Sequence, residues 1–106
     1  MIDAESRLEM SIQSKDRAYA ERDMCVALVA HMVKSFFGKA GLARHEGADW
    51  EDDWRNIVFI DLPTGQVSWH FHDSEMHLFK ELGAYEGKWD GHTTEEKYAR
   101  VNMAFR

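Results

Sequence analysis

His70-Phe71-His72-Asp73, with Glu75 and His77 close behind, is the stretch of this chain whose side chains could most directly do chemistry. Two histidines two residues apart on a strand point to the same face and can share a metal ion. A carboxylate at the strand end, Asp73, could complete a His/His/carboxylate set of the kind that zinc and iron take. His45 and His92 could supply a further ligand from elsewhere in the chain. A structural explanation serves equally: His70 and His72 lie on the wetter strand face, and Asp73 and Ser74 open the next helix. That explanation is preferred, so no metal and no other cofactor is expected. His70, His72 and Asp73 stand as the alternative metal set, at the centre of an alternative reading as a small metal- or phosphate-dependent enzyme.

A second constellation joins aromatic and basic residues. Trp50 and Trp54 flank Glu51-Asp52-Asp53 at four-residue spacing, so one helical turn there would set both rings on one side and the acids on the other. Trp54 with Arg55, and Trp89 with Lys88, resemble the aromatic-plus-base pairs that stack single-stranded bases. His92 follows the turn dipeptide Asp90-Gly91 and precedes a helix N-terminus, where free N–H groups favour an anion and Lys88 would add charge. The plainer alternative has Trp89 docking this turn on the core while Asp90 and His92 satisfy loop backbone groups. Trp69, on an apolar strand face, and His31, within an apolar helical run, are assigned to the core. No phosphate-cradling glycine loop, His-Glu-x-x-His, Gly-x-Ser-x-Gly or Cys/His pair is present, so no catalytic residue is named.

Trp89-Asp90-Gly91-His92, followed by Thr93 to Arg100, resembles the signature of the WDGH-motif family of small phage and prophage proteins. The run from Gly65 to Glu75 and the segment Trp54-Arg55-Asn56-Ile57-Val58-Phe59 extend the resemblance over roughly the C-terminal half. It implies a phage or prophage accessory protein in the cytoplasm of a bacterial host. It brings no activity, cofactor or catalytic residue onto these positions.

These residues need elements to hold them. No Gly or Pro occurs from Met1 to Phe37, and the segment is rich in good helix formers. One long helix or two is expected there, with Ser14 or Asp16 as the cap of a second. Residues 1–15 would form a loosely packed extension that frays or packs on a second subunit. Met24, Leu28, Met32 and Phe36 recur every four residues, with Cys25, Val29, Val33 and Phe37 beside them. This predicts a wide stripe packed into the core, stopped by Gly38 or Gly41, with Cys25 a buried, inert thiol.

Residues 38–53 read as a Gly/Ala-rich and acidic loop. Asn56 to Leu62 and Gln66 to His72, joined by Pro63-Thr64-Gly65, read as a hairpin with Val67, Trp69 and Phe71 on its apolar face. Ser74 can cap a short helix carrying Leu78, Phe79 and Leu82. Thr93 or Thr94 can cap a last helix with Tyr98, Val101 and Phe105 inward. The expected fold is α+β: a long N-terminal helix on a small antiparallel hairpin sheet, then two short C-terminal helices, in one domain over 1–106. No segment resembles a membrane span or a secretory signal.

Charge points to the kind of partner. Residues 1–45 carry six acids against seven bases, whereas residues 46–106 carry thirteen against six, which accounts for the net −6. An acidic surface repels free duplex DNA and favours basic protein partners. With the phage origin that the resemblance implies, the small size and this charge, the chain is similar in character to anti-CRISPR proteins, and the expected function is stoichiometric binding of a host defence protein or nucleoprotein complex, as an anti-CRISPR-like inhibitor. The protein would be a monomer, or a dimer through the N-terminal helix. Either Glu46 to Asp53 blocks a nucleic-acid channel, or the Trp/Arg and Trp/Lys pairs hold exposed single-stranded DNA. The expected contact residues are Trp50, Glu51, Asp52, Asp53, Trp54, Arg55, Lys88, Trp89 and His92.

Overall fold

The computed structural model describes the backbone of residues 4–47 and 49–105, and side chains from Ala20 onward within those limits. Residues 4–37 form a single helix, α1 (Ala4–Phe37), so the break expected near Ser14 and Asp16 does not occur. Side chains of the expected loose extension lie outside the described residues. Gly38 ends the helix: its φ of 67° suits a residue without Cβ, and its N–H bonds the Lys34 carbonyl at 3.0 Å.

The face that α1 buries is a correction to the expectation. Val26, Ala27, Ala30 and Val33 meet the sheet, whereas Met24, Leu28, Met32 and Phe36 are exposed, as is Cys25. Small side chains let the helix axis approach the sheet closely, and Ala30 is wholly buried there. The bulkier stripe is turned away by the same helical period. Asp23 is buried on the inner side and held by Arg22 at 2.8 Å, and His31 is satisfied by donating from Nε2 to the Leu78 carbonyl.

The sheet has three antiparallel strands in the order β1 (Ala40–Arg44), β2 (Asn56–Leu62) and β3 (Gly65–Phe71). The hairpin pairs as expected, Val58 with Trp69 and Ile60 with Val67, while β1 replaces the predicted loop. Gly41 in β1 is there for close approach rather than for a turn. A Cβ on it would stand 2.5 Å from Tyr85 Cα, because the 83–85 backbone crosses here and exchanges hydrogen bonds of 2.8 Å with Leu42.

Val58, Ile60, Leu62, Val67 and Phe71 face α1, and Phe79 and Leu82 close the core from the short helix α2 (Met76–Phe79) and the 3-10 turn after it. Ser74 does not cap α2: the preceding 3-10 turn (Asp73–Glu75) is capped by the His72 side chain, which accepts from the Ser74 N–H. The last helix, α3 (Thr94–Ala104), has the expected capping box of Thr93 and Glu96.

β3 is a sheet edge, and three cations close it. Arg100 donates to the Gln66 carbonyl at 2.7 Å, Lys97 to Ser68 at 3.1 Å and Arg22 to His70 at 3.1 Å. Positions 66, 68 and 70 alternate, so these carbonyls share one edge and would otherwise invite another strand. This also corrects the inward face of α3. Lys97 and Arg100 turn to the strand and Val101 packs beside them, which leaves Tyr98 and Phe105 exposed. Trp69 is only half-buried, wrapped over the edge with Lys97 Nζ 5.0 Å from its ring centroid.

A tryptophan-walled cleft on the outer sheet face

Alternation along β2 and β3 that buries Val58, Ile60 and Val67 turns Ile57, Phe59, Ser68 and His70 to the opposite face. These four floor a cleft of about 920 Å³ whose walls are the 45–54 loop and the 85–94 segment. Trp50 lies flat on His70, with ring centroids 3.8 Å apart and planes 3° from parallel, and His45 stands 5.3 Å from His70. Trp54 meets His72 edge-on at 5.3 Å, and Trp89 meets His92 edge-on at 5.9 Å.

The 85–94 wall is fastened by Trp89-Asp90-Gly91-His92 itself. Asp90 Oδ1 accepts from the His92 N–H at 3.0 Å and from His92 Nδ1 at 2.7 Å, while its other oxygen accepts from Arg100 at 2.9 Å. His92 is buried, and its Nε2 takes the Ser68 hydroxyl at 3.1 Å. Gly91 permits the tight return with φ of 85°. Gln66 completes the fastening, since its amide donates to Tyr85 Oη and the Lys88 carbonyl and accepts from the Asp90 N–H. Hydroxyl, imidazole and carboxylate are thus hydrogen-bonded in the order that a proton relay would need. Asp90, however, is 40% exposed and shared with Arg100, so its charge is spent on the guanidinium and on water. Holding Trp89 over the strands is the role this geometry supports.

The floor is less charged than its composition suggests. Burial, then the charges of His45 and Lys97, lower the His70 pKa to about 4, so its ring is neutral at pH 7. Its Nε2 is buried with no hydrogen-bond partner, as is Trp69 Nε1. Burial and Arg22 also lower the pKa of Lys97. Burial pulls the Asp90 pKa up, but hydrogen bonds from His92 and Arg100 outweigh it and hold the carboxyl below its ordinary range. The His45 hydrogen bond does the same for Asp49 at the rim.

Of the residues expected to meet a partner, Trp50, Glu51, Trp54, Trp89 and His92 line this cleft. Asp52 pairs instead with Arg55 at 3.3 Å, Asp53 with His72 at 2.9 Å, and Asp49 with His45 at 2.8 Å. Lys88 enters through its carbonyl, as the acceptor for Gln66. Trp50 and Trp54 belong to a loop and a 3-10 turn (Asp52–Trp54), and each covers a different histidine.

His70, His72 and Asp73 do not converge. His72 is held by Asp53 and Ser74, Asp73 accepts from Asn56, and His70 lies under Trp50. Among the described residues no group of three or more His, Cys, Asp or Glu is placed to hold a metal. Ser68 and Lys97 are cleft residues that no motif or spacing singled out, and His45 was expected only as a further metal ligand. Only the alternation of Ser68 and His70 outward from β3 pointed toward this face.

The WDGH domain family matches residues 6–104 of the chain. Comparison with curated proteins and with solved structures finds no match.

Proposed function

Because this chain belongs to the WDGH domain family, whose motif residues here fasten one wall of the cleft, we propose that the cleft is its working surface and that the protein acts by stoichiometric binding. Its ligand is an unpaired base of single-stranded DNA displayed by a host nucleoprotein complex, and the role is that of an anti-defence, anti-CRISPR-like inhibitor. The observation that carries the reading is the parallel stack of Trp50 on a neutral His70, whose Nε2 has no partner, inside a cleft with Trp54 and Trp89 in its walls. Flat rings give a base its stacking surface, and once Trp50 tilts off His70 to admit a base the uncharged imidazole can donate to or accept from its edge. An electrostatic plug is favoured less, because Asp49, Asp52 and Asp53 are each turned toward a base of the same chain.

Titration of the protein with short single-stranded oligonucleotides, read by tryptophan fluorescence, tests this. Quenching should saturate, and Trp50→Ala or Trp89→Ala should weaken binding by about 5- to 150-fold, the span of one lost stacking contact. Duplex of the same sequence should bind far more weakly at equal salt. A flat titration with every oligonucleotide, or equal affinity in both variants, would remove the base-binding reading.

A further inference from the structure

The outer face of α1 is built to be covered. Met24, Leu28, Met32 and Phe36 are 62%, 65%, 51% and 76% exposed, and they lie along one side of the helix over about 18 Å at its rise of 1.5 Å per residue. Cys25 and Val29, beside the stripe, form with Val101 and Phe105 part of a wholly apolar groove of about 150 Å³. A ridge of large side chains thus runs alongside a groove on the same surface, which is what a self-complementary contact requires.

We propose that a second copy of this chain covers this face, with the two α1 helices antiparallel about a two-fold axis at the level of residue 30, between Leu28 and Met32. Residue i then faces residue 60 − i of the other copy. Leu28 meets the partner's Met32, and Met24 meets the partner's Phe36, whose ring reaches the groove beside Cys25 and Phe105. The distribution of charge favours the same face, because residues 1–45 sum to +1 and residues 46–106 to −7. Pairing through α1 joins the nearly neutral parts and keeps the acidic sheet side and its cleft apart.

The test is the mass of the intact protein in solution, by light scattering across a dilution series. At tens of micromolar it should be twice the 12.4 kDa of one chain. Leu28→Arg, and separately Met32→Glu, should return it to one chain with an unchanged circular dichroism spectrum. Cysteine chemistry gives an independent readout of register. Cys25 faces the partner's Ser35, so Ser35→Cys should oxidise quickly to a covalent dimer. The native protein should not, since its two Cys25 residues are about 15 Å apart along the helices. A single-chain mass at these concentrations overturns the proposal, even if another protein binds the stripe. So does a dimer that survives both stripe variants, or one that the native Cys25 alone cross-links as fast as Ser35→Cys.

Discussion

Acidification from pH 7 to 4.5 isolates the burial of His70 under Trp50. In the folded chain His70 takes its proton only near pH 4, against 6.5 when free, so between these values the unfolded chain binds the proton and the folded chain does not. The depressed histidine therefore contributes stability that is fully present above 6.5 and lost as pH falls toward 4. At full strength the interval is worth about 3 kcal/mol. The cleft is open to water, which screens the neighbouring charges of His45 and Lys97, so about 1–2 kcal/mol is expected. Urea unfolding at pH 7 and 4.5, in the parent and in His70→Gln, separates this from every other titrating group. The parent should lose about 1–2 kcal/mol more than the variant, which keeps a neutral polar side chain at the site. A proton NMR titration of the His70 ring should show its midpoint well below 6.5. Identical losses in both proteins, or a His70 midpoint near 6.5, would refute the buried, neutral imidazole and with it the hydrogen-bonding part of the cleft argument.

Three further outcomes follow from particular contacts. Gly41→Ala should destabilise by about 2 kcal/mol in chemical unfolding, because its methyl meets the Tyr85 backbone, which cannot rotate aside. Thr93→Ala should cost about 1 kcal/mol, measured the same way, by removing the side-chain half of the α3 capping box. Replacing Glu51, Asp52 and Asp53 together by Gln, Asn and Asn should lower stability slightly, by about 0.5 kcal/mol, almost all of it from Asp53 and its half-buried His72 partner. The same triple variant should leave single-strand binding intact, since the stacking rings remain; a marked loss would restore the acidic-surface mechanism.

Local rules were readable in the chain because they act over four residues or fewer. The absence of Gly and Pro up to Phe37 made α1, alternation from Val67 to Phe71 made β3, and Thr93 with Glu96 set the start of α3. What acts across the chain was not readable. α1 carries two apolar stripes, and periodicity ranks the bulkier one first. The sheet instead accepted Val26, Ala27, Ala30 and Val33, because only small side chains let a helix lie close over three strands. Ala40–Arg44 has the composition of a loop and became a strand because β2 offered a free edge and Tyr85 needed a position without Cβ beside it. The candidate site was half legible for the same reason. Trp50, Trp54, Trp89 and His92 stood out by residue type. Their gathering over His70 and Ser68 depends on pairing between β2 and β3, and on Gln66 and Asp90 tying a loop more than twenty positions away to the strand, contacts that no local spacing encodes.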